Sequence, residues 1–300
     1  MRITSTTTTL ALTLTVLTTC ASVYAQQAPA PTPPNPANPV PQTPAEAATA
    51  KPGLDEQDWT IRLTPRAWFV APAGDLKLPG LGGQTVTLDN LNLDANRVRP
   101  AGQVDLQSER WMISLAGANS STSSLRVATG AFQLGTTAIG AGQTFDASFD
   151  YTTIQALVGY RVWEYNLDAQ KSEDAGDTRF RLFLLGGARL HDAKATIERP
   201  GVANTRSEGS LTTVSIIGSA RGQLKFWRDF NLEVDLSAGA LHESTTFDIQ
   251  AALSYQPCDW FAAQFGYRHL QVSLDSGSNA GQFKWDGSVA GLFAGVVFKF

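Results

Sequence analysis

The chain closes on VAGLFAGVVFKF, residues 289–300. Leu292, Ala294, Val296, Phe298 and Phe300 fall at every second position, with Gly291, Phe293, Gly295, Val297 and Lys299 between them. A period of two is the mark of a strand with one apolar face. Chain ends are ordinarily polar and frayed. An apolar strand that runs to the last residue predicts an end held in place, its outer face against an apolar medium.

The same alternation recurs upstream. Phe230, Leu232, Val234 and Leu236 oppose Asn231, Glu233, Asp235 and Ser237; Phe247, Ile249, Ala251 and Leu253 oppose Asp248, Gln250, Ala252 and Ser254. Alternation and turn signals place ten strands, near 58–70, 97–107, 110–120, 147–162, 178–191, 209–226, 229–242, 245–256, 259–274 and 286–300. Two architectures suit such a pattern. A soluble sandwich hides the apolar face, whereas a membrane barrel turns it to lipid and keeps the polar face within.

Three features favour the barrel. Tight links at 108–110, 227–228 and 257–258 alternate in the main with long ones after the first, third, fifth and ninth strands. Outer-membrane barrels have short periplasmic turns and long outer loops. Indole rings prefer the membrane interface. On this topology Trp59, Trp111, Trp163, Trp227 and Trp260 fall at the periplasmic strand ends, with Trp68 and Trp285 toward the outer end. Lipid offers no partner to a free strand edge, so the last strand must pair with the first. The expected fold is therefore all-β: a closed antiparallel transmembrane barrel of about ten strands, with eight or twelve as alternatives.

The head of the chain reads differently. Arg2, the apolar segment Leu10–Leu17, and the small residues Val23 and Ala25 form a secretory signal, with cleavage expected after Ala25. Thr19 stands before Cys20 where a lipidated cysteine needs a smaller residue, so Cys20 is expected to leave with the signal. Cys258 then remains alone, without a disulfide framework. Residues 26–54 are rich in proline and alanine and read as a disordered arm, extended at about 3.1 Å per residue. The arm is a plain spacer on one reading and a tether toward the cell wall on the other. The barrel occupies 55–300. With 23 basic and 27 acidic residues the chain is mildly acidic, which suggests no nucleic-acid partner. No metal or cofactor motif is present.

Four phrases carry a family resemblance: TPRAWF (64–69), LLGGARLHD (184–192), FAAQFGYRHLQV (261–272) and the closing GLFAGVVFKF. Through them residues 57–300 resemble the bacterial outer-membrane β-barrels of the broad OmpA/OmpX-like kind. The resemblance implies insertion by the barrel-assembly machinery, with Phe298 and Phe300 as its recognition signal, and lipid and lipopolysaccharide as surroundings. It brings no catalytic residue.

With the polar face inside, the lumen is expected to receive Arg62, Arg66, Arg99, Arg161, Arg181, Arg189, Arg221, Lys225, Arg268 and Lys299, together with Asp105, Asp150, Glu233, Asp235 and Asp248. Charges in so narrow a space must pair or stay hydrated. Either they form a salt-bridged plug, or the arginine excess lines a narrow anion-preferring pore. An enzyme acting on outer-membrane lipid or peptide is the remaining alternative. His191, His242 and His269 all lie near outer strand ends, but neighbours on a strand face opposite ways, so His242 and Ser244 do not share a side with Glu243. The outer loops offer two further surfaces. One is the Ser/Thr/Gly-rich stretch 117–144; the other is 192–209, where Lys194, Arg199 and Arg206 would meet lipopolysaccharide phosphates. The expected role is structural or surface-interacting, without catalysis.

Overall fold

The structure, a computed structural model, describes residues 59–80, 83–166, 178–227, 229–277 and 281–300. The expected signal peptide (1–25) and linker (26–54) lie outside these residues, and the barrel unit runs from Trp59 to Phe300. In chain order the strands are β1 (Thr60–Lys77), a two-residue β2 (Val86–Thr87), β3 (Arg97–Gln107), β4 (Trp111–Val127), the hairpin β5 (Phe132–Leu134) and β6 (Thr137–Ile139), β7 (Thr144–Asn166), β8 (Arg179–Glu198), β9 (Arg206–Phe226), β10 (Phe230–Leu241), β11 (Ser244–Cys258), β12 (Phe261–Ser276) and β13 (Phe283–Lys299).

Ten of these make the barrel. Each pairs antiparallel with the next, and β13 pairs back onto β1. Closure reaches the final residue. Ile61 N–H donates to the Phe300 carbonyl and Phe300 N–H to the Ile61 carbonyl, each at 3.0 Å. No edge is then left to lipid at the chain's end.

The strands are unequal in height. β7, β8 and β9 have 23, 20 and 21 residues, against 12 in β10. A tilted strand crosses the hydrocarbon in about 9–11 residues. The surplus on β7–β9 therefore stands above the membrane as a wall, and both faces of the strands record where it begins. On the outside, Gly117, Ile154, Leu190 and Val214 form one cross-strand row. Two residues higher, Asn119, Thr152, Asp192 and Thr212 form the next. Asn119 Nδ2 donates to Thr152 Oγ1 at 2.9 Å, and Thr212 Oγ1 donates to Asp192 at 2.7 Å. Outside, the wall is apolar below this row and polar above it.

Inside, the change is the reverse and lies at the same level. Gln155, Arg189 and Ser215 are register partners below; Tyr151, Ala193 and Leu211 are partners above. The upper interior is an apolar core. Trp285 packs on Phe149 and Tyr151 with ring centroids 4.8 and 4.9 Å apart. Leu78, Leu88, Leu91 and Leu93, from the segment joining β1 to β3, are buried in the same cluster, as are Leu134 and Ile139 of the β5–β6 hairpin. Each fully buried side chain of this kind contributes about 1.5–3 kcal/mol.

Several expectations need correction. Trp68 and Trp285 are 1% and 0% exposed and sit inside the barrel, not at the outer interface. Residue 68 shares its parity with Arg62 and Arg66, and 285 with Phe293, so the pleat turns both inward. Asp150 alternates out of phase with the inward Tyr151 and faces outward, opposite Lys194 in register. Lys225 needs no such correction: it keeps the inward parity of Arg221 and Gln223 and is exposed at the mouth of the barrel.

A charge placed below the outer polar row should cost far more than one placed on it. Val158→Arg, on the exposed apolar belt, is expected to lose about 2–4 kcal/mol, and Thr212→Arg about 0–1 kcal/mol. Urea unfolding in lipid vesicles reads both. Equal losses would remove the boundary.

Candidate functional site: the filled barrel interior

The polar half of the interior is built from three tiers of side chains. At the mouth nearer the chain ends a bulge between Arg161 and Trp163 shifts the register of β7. It brings Glu164 opposite Arg181. Glu164 then pairs with Arg161, with Arg179 at 3.1 Å and with Arg181 at 3.2 Å. Lys299 donates to Gln256 at the same end.

The middle tier is a branched ion-pair network between strands far apart in sequence. Arg62 reaches Glu233 at 3.2 Å and Asp105 at 3.9 Å. Arg221 bridges Asp105 at 3.1 Å and Asp235 at 2.7 Å, while Ser219 donates to Asp235 at 2.6 Å. Gln103 donates to Asp105 at 2.9 Å and Gln223 to Glu233 at 3.2 Å. Higher up, Asp248 accepts from both nitrogens of the Arg268 fork, at 3.1 and 2.7 Å, and from Arg189 at 2.7 Å. Arg189 also donates to Thr246 and Ser237. A buried charge is tolerable only when paired and hydrogen-bonded. Arg189 and Arg221 are 0% and 1% exposed and meet that condition. Met112, Leu157, Phe183, Leu185 and Ile217 form a small apolar cluster on the same inner wall.

The third tier is a hydrogen-bonded chain just under the apolar core. The Tyr151 hydroxyl lies 2.7 Å from His191 Nδ1, His191 Nε2 lies 3.1 Å from Ser215 Oγ, and Ser215 Oγ lies 2.7 Å from Ser244 Oγ. His191 and Ser215 are wholly buried. Their pairing has the elements of a base and a hydroxyl, enclosed beneath the apolar core. His242 sits in the turn between β10 and β11 with a positive φ of 44°. Ser244 spends its hydroxyl on Ser215, Leu241 and Val214 rather than on His242. His269 faces outward, opposite Ile249 in register. The three histidines do not converge.

The remaining expected residues divide by position. Arg66 lies inside, donating to Gln264 at 2.9 Å and Gln250 at 3.1 Å. Arg99 donates to the Ser121 carbonyl and Arg97 to that of Ser123. They cap the edge of β4 above Ala118, where β3 no longer pairs. Trp59, Trp111, Trp163, Trp227 and Trp260 are each more than 40% exposed at strand ends. Trp111 lies edge-on to Tyr160 at 5.2 Å. Phe298 packs against Phe261 and Trp260, and Phe300 is 71% exposed. Sequence reasoning missed the Tyr151–His191–Ser215–Ser244 chain and the apolar plug. The plug does leave a signal: Phe145, Ala147, Phe149 and Tyr151 continue the parity that places Arg161 inside.

No protein-family model and no curated protein matches the sequence. Among solved structures it is similar to Ail, the attachment invasion locus protein of Yersinia pestis, at 14% identity and a TM-score of 0.31, over 82% of this chain and 99% of that one. A major outer membrane protein from Thermus thermophilus matches at 11% and 0.32, over 81% and 100%. The transport unit of the autotransporter AIDA-I from Escherichia coli matches at 9% and 0.34, over 83% and 93%. Likenesses this distant bring no activity to the chain.

The network predicts a stability contrast. Asp248→Asn strands Arg189 and Arg268 in the interior and is expected to cost about 3–5 kcal/mol in urea unfolding. Asp150→Asn, on the outer wall, should cost about 0–1 kcal/mol. The closed ladder, the exposed apolar belt with tryptophans at one rim, and the ion-paired interior make this chain a closed ten-stranded antiparallel transmembrane β-barrel.

Proposed function

We propose that the protein is a structural and surface-interaction barrel of the outer membrane, with no catalysis and no open solute path. The observation that supports this most is the filling of the interior. Above the ion pairs, Trp68, Phe149, Tyr151 and Trp285 meet the leucines of the segment between β1 and β3 in an apolar core. A barrel closed in this way has its outer end to offer: the β7–β9 wall and the segments joining the strands there. Loops on a rigid scaffold are where binding residues concentrate.

Lys194, Arg199 and Arg206 remain the candidates for lipopolysaccharide phosphates. Lys194 and Arg206 each bond Glu208 at 2.8 Å, so a phosphate there would have to displace that carboxylate. Phe298 and Phe300 remain the candidates for the assembly signal. Phe300 exchanges both backbone hydrogen bonds with Ile61 in the closed barrel, so recognition of that strand by assembly machinery would precede closure. The arm's contact with the cell wall is retained as the tether reading of its composition.

The narrow anion-preferring pore is the second reading, favoured by the inner-face cations: Arg161, Arg179 and Arg181 share one carboxylate at the mouth. Planar-bilayer conductance of inserted protein under a salt gradient separates the two. Silence is expected. Discrete anion-selective steps, lowered by Arg181→Ala or Arg221→Ala, would replace the closed barrel with the pore.

A further inference from the structure

The middle tier does not balance its charges. Arg62, Arg66, Arg189, Arg221 and Arg268 bring five positive charges; Asp105, Glu233, Asp235 and Asp248 bring four negative ones, leaving one positive charge over. The surplus falls on Arg66. The other four arginines each have a carboxylate within 4.0 Å, and Arg66 has none among the described residues. It donates instead to two neutral amides and lies 4.7 Å over the Phe293 ring. A cation held inside a barrel without a counter-charge is costly unless an anion or water reaches it.

Beside Arg66 lies a polar cavity of about 20 Å³, lined by Arg66, Arg221 and Arg268 and also by Asp235 and Asp248. Those five charges sum to one positive, three minus two. The two carboxylates are engaged: Asp248 by Arg189 and Arg268, Asp235 by Arg221 and Ser219. Gln155 and Gln250 also line the space, and their carbonyl oxygens accept from Arg189 and Arg66. Their amide N–H₂ groups are thereby left as donors. A water needs about 10–15 Å³ measured this way. The space therefore suits a single atom or so, too small for phosphate, sulfate or a carboxylate.

We propose that this cavity binds one monatomic anion, a halide, which supplies the missing negative charge of the middle tier. It is held chiefly by Arg66, with Arg221 and Arg268 as the flanking cations. The site is internal and independent of any partner at the outer loops.

The test uses the whole refolded barrel in detergent micelles. Its thermal unfolding midpoint is measured in sodium chloride, sodium bromide and sodium gluconate at one ionic strength. The midpoint should be higher by several degrees in both halides than in gluconate, and R66M should abolish that difference. Crystals grown in bromide should show an anomalous peak between Arg66, Arg221 and Arg268. Equal midpoints in halide and gluconate, or a difference that survives in R66M, would overturn the site. So would a cavity without anomalous signal, which decides the matter should R66M fail to fold.

Discussion

A strand that leaves hydrocarbon for water must exchange the polarity of its outer face, and in this protein both faces change. Below the row Asn119–Thr152–Asp192–Thr212 the outside is apolar and the inside polar; above it the reverse holds. The outer change is dictated by the solvent. The inner one follows from it, because a wall wet on its outside needs an apolar face to hold it up. The leucines between β1 and β3 and the β5–β6 hairpin supply the other side of that contact. One alternating strand thus belongs to a membrane barrel in its lower half and to a water-soluble barrel in its upper half.

The lower interior meets a different demand. Strands apolar on both faces would be prone to pair and aggregate before insertion, so the face turned from lipid is kept polar. Closing that face into a narrow tube removes its water. The side chains must then satisfy one another, which explains why charges cluster as Arg62–Glu233, Asp105–Arg221–Asp235 and Arg189–Asp248–Arg268. The glutamines complete the network. Gln103, Gln155, Gln223, Gln250 and Gln264 each bond a charged group without adding charge.

Period two carries over a whole strand, and for that reason the architecture is legible in the sequence. All ten barrel strands lie where alternation places them, although β1, β4, β7 and β8 run further than expected; in β7 and β8, Phe145–Tyr151 and Ala193–Ile197 keep the alternation while inverting which face is apolar. Parity also tells against Trp68 and Trp285 as interface residues. The preference of indole for membrane rims competes there with the phase of the pleat, and the phase decides. The partners within the lumen are not legible. Arg62 and Glu233 are 171 residues apart, and nothing local relates them. The plug is hidden for another reason: Leu78, Leu88, Leu91 and Leu93 follow no strand period, because they pack from an irregular segment.

The wall's support can be traced to one glycine. β10 pairs with β9 only up to Ile216, so the upper β9, Arg206–Ser215, has β8 on one side and lacks β10 on the other. An unsupported strand end of that length would fray. Here the barrel's contents hold it. Thr136 N–H donates to Ser207 Oγ at 3.1 Å, and Thr137 Oγ1 donates to the Thr205 carbonyl at 3.0 Å. At Gly209 a Cβ would lie 2.7 Å from Pro79 and 2.8 Å from Phe283. Real Cβ atoms do not come so close, and glycine is what lets the plug touch the β9 backbone. On the opposite flank Arg97 and Arg99 cap the β4 carbonyls where β3 no longer pairs with β4. The wall's two edges are thus secured by different means, one from within by packing and one from beside by guanidinium donors. A height that pairing alone would not sustain becomes a fixed outer surface.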